Sequence, residues 1–191
     1  MDIQLKQVSI QIDGKPILNN VNLSLLKESI NCLMGPSGKG KTTILNLIMG
    51  LIKLDTGELL GNSGLQIAAV FQEDRLIEHW DALKNISLVC DKLIEKEYIL
   101  QELQQLGIEE STGKPVRDFS GGMRRRVAII RALLAKSDLV IMDEPFRGLD
   151  IDLKEKVIKY IKEKTKGKTV IVVTHEIEDV MQLEGNLIAL Q

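Results

Sequence analysis

The sequence is short of cysteine, proline, aromatic side chains and excess charge of either sign. Its 191 residues include two cysteines, four prolines, three Phe, two Tyr and one Trp. Cys32 and Cys90 cannot build a disulfide framework or a cysteine metal site, and such sparing use fits a reducing, cytosolic compartment. So few aromatics leave the core to Leu, Ile and Val. No apolar run approaches the ~18 residues that a membrane span requires. The N-terminal MDIQLKQVSI alternates and lacks a basic region followed by an apolar one, so no secretion signal is expected there. The Asn-x-Ser sequons at Asn22 and Asn85 therefore carry no expectation of glycosylation. With 25 basic against 27 acidic residues the net charge is -2, which argues against nucleic acid as a partner. At 44% hydrophobic content, disorder is excluded as the main state. One domain is expected, burying roughly 70% of its unfolded surface.

Periodicity organises the chain. Residues 3–12 alternate through Ile3, Leu5, Val8, Ile10 and Ile12, with Gln7 interrupting the phase. Asp13-Gly14 signals a turn, and Ile17 to Leu25 alternates again, which predicts an antiparallel hairpin. Ile30 to Met34 is a short apolar run, followed by a Gly-rich loop and helical spacing over 44–51, with Gly50 near the helix end. Leu65 to Phe71 reads as a strand. Residues 73–119 are charged and helical in period, as in Leu93, Ile94, Ile99, Leu100, Leu103 and Leu106, with Gly107 as a stop. Helices are then predicted over 121–136, 151–164 and 176–184, and strands over 139–142, 169–173 and 187–190. Alternating strands and helices mean an α/β fold with a mostly parallel sheet.

Three segments carry chemistry. Gly35-Pro36-Ser37-Gly38-Lys39-Gly40-Lys41-Thr42 matches G-x-x-x-x-G-K-[ST] between a predicted strand and a predicted helix. Small residues there let backbone N–H groups wrap a phosphate at a helix N-terminus. The motif gives Lys41 the β- and γ-phosphates and the Thr42 hydroxyl Mg²⁺, leaving Lys39 solvated. Leu139 to Met142 would deliver Asp143 and Glu144 at the carboxyl end of a buried strand, where ligands of open α/β sheets bind. Asp143 is placed to hold Mg²⁺ and Glu144 to take a proton from an attacking water. Ser120-Gly121-Gly122 would cap a helix and bare its N–H groups, a second anion site. The run Arg124-Arg125-Arg126 reads as a solvated helix face in preference to a nucleic-acid contact.

In combination these segments resemble the ATPase subunits of ABC transporters, over essentially the whole chain and in that family's order. The match comprises a Walker A loop (GPSGKGKT, 35–42), a Q-loop glutamine (Gln72 in VFQED) and a signature (SGGMR, 120–124). It continues with a Walker B strand (LVIMDE, 139–144), a D-loop (GLD, 148–150) and a switch histidine (His175 in VVTHE). The resemblance implies a P-loop NTPase core with an antiparallel β subdomain and a small inserted helical subdomain. The core would be 1–72 and 120–191, and the insertion 73–119. ATP and Mg²⁺ would be the cofactors, with the nucleotide held by residues 35–42 and Thr43. In such proteins two ATPase chains face each other head to tail, so Ser120, Gly121 and Gly122 would contact the partner's nucleotide. Glu144 is similar to the family's general base, His175 to its γ-phosphate sensor, and Gln72 to a ligand of Mg²⁺ and water. Asp150 would organise the interface between chains. Transmembrane permease subunits would dock on 73–119, placing the chain peripherally on the cytoplasmic face of the membrane.

The chain departs from the family's pattern at several places. Ile12 stands where an aromatic usually stacks on adenine, which implies weaker contact and relaxed base selectivity. Arg147-Gly148 replaces the common Ser-Ala of the D-loop. Lys41 to Gln72 is 31 positions, which implies that the antiparallel strands there are trimmed. The His175 segment lies close to the end of the sequence, so the regulatory domain of some sugar importers is not expected. VFQEDRLIEHWDALKNISL resembles the nitrate, sulfonate and taurine importer group, so a small-molecule importer is the expected setting. A soluble assembly ATPase is the alternative. A binding module without catalysis is disfavoured by the intact Lys41, Gln72, Glu144 and His175.

Overall fold

The computed structural model describes residues 2–91, 93–108 and 113–190. Part of the predicted helical insertion, 109–112, lies outside them. Strands β1 (Ile3–Ile12) and β2 (Lys15–Leu25) form the predicted hairpin, with Ile12 opposite Lys15. Asp13 and Gly14 both take positive φ (52° and 72°), as a two-residue hairpin turn of this hand requires. The interruption at Gln7 is a bulge. Its φ is 51° and the register shifts between Leu5 and Val8, so Ile3, Leu5, Val8 and Ile10 all stay buried. Ile12, at the end of the strand, is 47% exposed.

After β3 (Ile30–Met34) and helix α1 (Lys41–Ile48), the chain adds β4 (Thr56–Leu60), which pairs antiparallel with the other side of β1. Periodicity did not predict β4, because TGELL has neither alternation nor β-branched enrichment beyond Thr56. The stretch expected to be trimmed thus retains one antiparallel strand. Then follow β5 (Ile67–Val70), α2 (Ala82–Ser87), α3 (Lys96–Gln105), a 3₁₀ turn (Val116–Asp118), α4 (Gly121–Leu134), β6 (Leu139–Asp143), α5 (Ile151–Lys164), β7 (Thr169–Val173), α6 (Ile177–Leu183) and β8 (Asn186–Ala189). Helix α3 begins later than the spacing suggested; Leu93 precedes it and is 89% exposed. Gly107, at φ 67°, ends it as expected.

Five strands form an all-parallel sheet in the order β5-β6-β7-β3-β8. Period-2 alternation splits their side chains between two cores. Val140, Met142, Val170 and Val172 face a cluster that includes Val127, Ile130, Tyr160 and, from the helical segment, Ile86, Ile99 and Leu103. Leu139, Ile141, Ile171 and Val173 face the other cluster, built from α1 and the β1–β2 hairpin. The helical segment thus shares a continuous core with the sheet rather than holding one of its own.

Candidate functional site

Register on the parallel sheet assembles the site. Val173 lies opposite both Asp143 on β6 and Leu33 on β3. The chain leaving these three adjacent strands therefore emerges on one edge, carrying Asp143-Glu144, Thr174-His175 and the loop that starts at Gly35. This is the carboxyl edge, where open α/β sheets bind ligands.

The loop is held from several sides. Lys41, 7% exposed, donates through Nζ to Gly35 O (2.7 Å) and Pro36 O (2.9 Å). Gly40 is at φ 82°, and a Cβ there would sit 2.4 Å from Leu18 Cδ2, so only glycine lets the loop close against the hairpin. Gly38 also has positive φ, while Pro36, Ser37 and Lys39 are exposed. Helix α1 opens with no side-chain cap and no acidic residue in its first turn, which leaves its N-terminal N–H groups to an anion. Thr43, half-buried, lies in that first turn.

Thr42 Oγ1 donates to Asp143 Oδ2 (2.9 Å), joining loop to strand. Asp143 is 5% exposed, and burial lifts its carboxyl above the ordinary range, an effect the Thr42 hydrogen bond opposes. A carboxyl with a folded pKa above its unfolded value destabilises the fold once ionised. Asp143→Asn is therefore expected to stabilise the nucleotide-free chain by about 1 kcal/mol, a rise of about 2–4 °C in the thermal midpoint. Scanning calorimetry of both proteins checks this, and a lower midpoint in the variant would refute it.

Glu144 has φ 50°, with its N–H bonded to Val173 O (3.1 Å). Its Oε1 lies 3.1 Å from His175 Nε2 and its Oε2 lies 3.7 Å from Arg147 Nη1. The carboxylate thus sits between an imidazole and a guanidinium. Behind His175, Thr174 Oγ1 donates to Asp179, which is 2% exposed and ion-paired with Lys154; Lys154 also pairs with Glu176. Lys154 and Asp179 went unnoticed in the sequence. The only signal was a carboxylate on the buried side of a short helix.

Ser120 accepts from Met123 N (3.2 Å) and caps α4, as predicted. Its helix end, with Gly121 and Gly122, lines a cavity of about 540 Å³ together with Gln72 and Asp150. A second cavity, of about 480 Å³, adjoins Glu144 and His175, and Arg147, Gly148 and Leu149 line both. Asp150 caps α5 by accepting from Leu153 N (3.0 Å). Gln72 is exposed, beyond the end of β5.

The reading of the arginine run as solvated is corrected. Arg125 and Arg126 are each 6% exposed. Arg126 donates to Leu106 O (2.5 Å) and Gly122 O (3.1 Å), and Arg125 to Phe71 O (2.6 Å) and Gln72 O (2.5 Å). Gly122 O lies one turn back on α4 itself; Phe71, Gln72 and Leu106 lie in chain outside the strands and helices, and the guanidinium groups satisfy their carbonyls. Two of the three consecutive cations are thus buried, while the Arg124 side chain stays 41% exposed.

A family model described as ABC transporter matches residues 18–147. This chain belongs to the ABC transporter family. It is 34% identical to the spermidine/putrescine import ATP-binding protein PotA of Spiroplasma citri, over 98% of this chain and 58% of PotA. It is 34% identical to the molybdenum import ATP-binding protein ModC of Haemophilus ducreyi, over 90% and 53% of the two chains. The taurine import ATP-binding protein TauB of Escherichia coli O157:H7 is 31% identical, over 98% and 79%. The chain thus spans little more than half the length of the PotA and ModC relatives. Among solved structures, a dimeric ATP-binding cassette in a post-hydrolysis state, bound to ADP and Pi, superposes with a TM-score of 0.83 at 30% identity, covering 99% of this chain and 94% of that one. The fold is that of an ABC ATPase, with a parallel sheet, an antiparallel sheet and helices.

Proposed function

We propose that this chain binds and hydrolyses ATP and thereby energises small-molecule import. The observation that carries the reading is the convergence of the Gly35–Gly40 loop, Asp143-Glu144 and His175 at one edge of three adjacent strands. In this reading the N–H groups of α1 and Lys41 bind the phosphates. Glu144 takes the proton of the attacking water, and His175, hydrogen-bonded to it, holds the carboxylate in place. The donor set suits Mg²⁺, a hard cation that takes a carboxylate, a hydroxyl and substrate phosphate oxygens. Asp143 and Thr42 would hold it, with Gln72 as a third oxygen. Bound Mg²⁺ supplies charge neutralisation on the transferred phosphoryl group. Among the described residues no cluster of three or more His, Cys, Asp or Glu offers another metal centre.

The capped end of α4 opens on a cavity that Glu144 and Lys41 do not line. One chain with two separate anion sites supports a head-to-tail pair, each nucleotide held by the loop of one chain and Ser120–Gly122 of the other. That a similar solved structure is a dimer bound to ADP and Pi supports pairing of two chains. Leu88, Val89 and Leu93 are exposed on the segment 73–119, which supports its role as the subdomain that docks on permease subunits at the cytoplasmic membrane face. Among the described residues no helix is long and apolar enough to cross a membrane. The relatives' names span polyamines, molybdenum and taurine, so the cargo is assigned only as a small molecule. The test is ATP hydrolysis by the purified chain with Mg²⁺ and with EDTA; equal rates would remove the metal-dependent reading.

Ile12 adds a prediction. It lies on the hairpin that packs against Gly40 through Leu18, and it is half exposed. An aliphatic side chain there stacks on a base more weakly than an aromatic. Ile12→Tyr is expected to tighten ATP binding by about 1 kcal/mol, roughly fivefold, and to sharpen the preference for ATP over GTP. Titration of fluorescent analogues of both nucleotides measures it; unchanged affinities would place the base elsewhere.

A further inference from the structure

Helix α4 holds the chain that leaves β5 almost residue by residue. Strand β5 ends at Val70, so the main chain from Phe71 onward lies outside the ladder. Arg125 donates one guanidinium N–H to Phe71 O (2.6 Å) and another to Gln72 O (2.5 Å). Its Nε lies 3.3 Å from Asp74 Oδ1, a buried oxygen with no hydrogen bond of good geometry. One turn pair further along, Arg131 donates to Arg75 O (2.9 Å) and Asp74 O (3.2 Å). Arg124 lies 3.9 Å from Asp74 Oδ2. Four carbonyls within residues 71–75 thus accept from two arginines on one helix. The planar fork of Arg125 matches two successive carbonyls, which a lysine ammonium cannot do. That same helix begins at Ser120-Gly121-Gly122.

We infer that Arg125 is a positioning residue for Gln72: its bidentate grip on the carbonyls of Phe71 and Gln72 sets where the exposed Gln72 side chain stands and locks it to the anion-binding end of α4. The inference rests on the proposed role of Gln72 in hydrolysis. A residue that only orients another acts through it, so its loss matters only while Gln72 is present. Removal of such outer partners typically costs 10–100-fold in activity or metal affinity.

The experiment compares wild type, Arg125→Lys, Gln72→Ala and the double variant. Arg125→Lys keeps the charge beside Asp74 and can reach one carbonyl, so the chain stays folded. It is expected to lower kcat by roughly tenfold or more while KM for ATP changes less than about twofold. Amide hydrogen exchange over 71–75 speeds up, with the rest of the chain unchanged. In the Gln72→Ala background the same substitution has no further effect on kcat. An undiminished effect of Arg125→Lys in that background, or an unchanged kcat with unchanged exchange, overturns the inference. A wild type that does not hydrolyse ATP overturns the proposed function instead, and exchange over 71–75 then decides the grip of Arg125 by itself.

Discussion

Glu144→Gln is expected to slow ATP hydrolysis by about 10²–10⁴-fold, the range for loss of a positioned general base, while nucleotide affinity stays within about twofold. The exchange removes basicity and leaves nearly everything else. Glutamine has the same length, and the main chain that places residue 144 is held by the Val173 carbonyl rather than by the side chain. The φ of 50° at residue 144 costs glutamine no more than glutamate. The amide oxygen still accepts from His175 Nε2. The variant should therefore bind ATP, pair with a second copy around two nucleotides, and stay paired. Hydrolysis assays beside light scattering read both effects. Turnover at the wild-type rate would take the base role away from Glu144. Loss of binding would mean that the carboxylate also shapes the phosphate site.

The second large effect is on stability. Glu102→Ala is expected to cost about 3 kcal/mol, lowering the thermal midpoint by about 6–12 °C. Glu102, 4% exposed on α3, accepts from Tyr160 Oη and from Lys164 Nζ (2.6 Å), both on α5. Lys164 also donates to Tyr98 Oη (2.9 Å). The cluster ties the helical segment to the helix between β6 and β7. Removing the carboxylate leaves a buried hydroxyl and a mostly buried ammonium short of an acceptor, and that loss exceeds the ordinary cost of truncation. Glu102→Gln, which keeps an acceptor for Tyr160, should cost less. A loss under about 1 kcal/mol in the alanine variant, by urea titration, would show that water replaces the carboxylate.

The same cluster sets a pH dependence. Burial works against the charge of Lys164, but the Glu102 and Tyr98 hydrogen bonds outweigh it and raise its pKa. Burial and Glu102 likewise push Tyr160 up. Both groups hold their protons more tightly when folded. Their contribution is complete below the unfolded values, about 10 for Tyr and 10.4 for Lys, and is lost as pH rises through the folded ones. The stability gap between wild type and Glu102→Ala should therefore narrow above about pH 10.

Much of this was legible in residue order. The alternation breaks at Gln7, and the structure shows the cause to be a bulge, because alternation has to slip by one residue where a bulge sits. Asp13-Gly14 specified its turn, Ser120 its cap, and Gly107 its helix end. The Gly35–Thr42 loop and the Asp143-Glu144 pair were recognisable because their chemistry requires particular residues at fixed spacing. Other features left no local trace. TGELL became a strand because one edge of β1 was open to pair with it. The arginines at 125, 126 and 131 look like a charged helix face until the irregular chain against α4 supplies carbonyls for them. Lys154 and Asp179 show no mutual spacing to mark them as partners. By itself, then, the sequence determined every strand but β4, the Asp13-Gly14 turn, the Ser120 cap and the Gly-rich loop motif, whose causes lie within a few residues along the chain. Only the tertiary structure decided which buried charges meet and which three strand ends converge on one site, because a polar group taken out of water must find its partner among whatever elements the packing brings beside it.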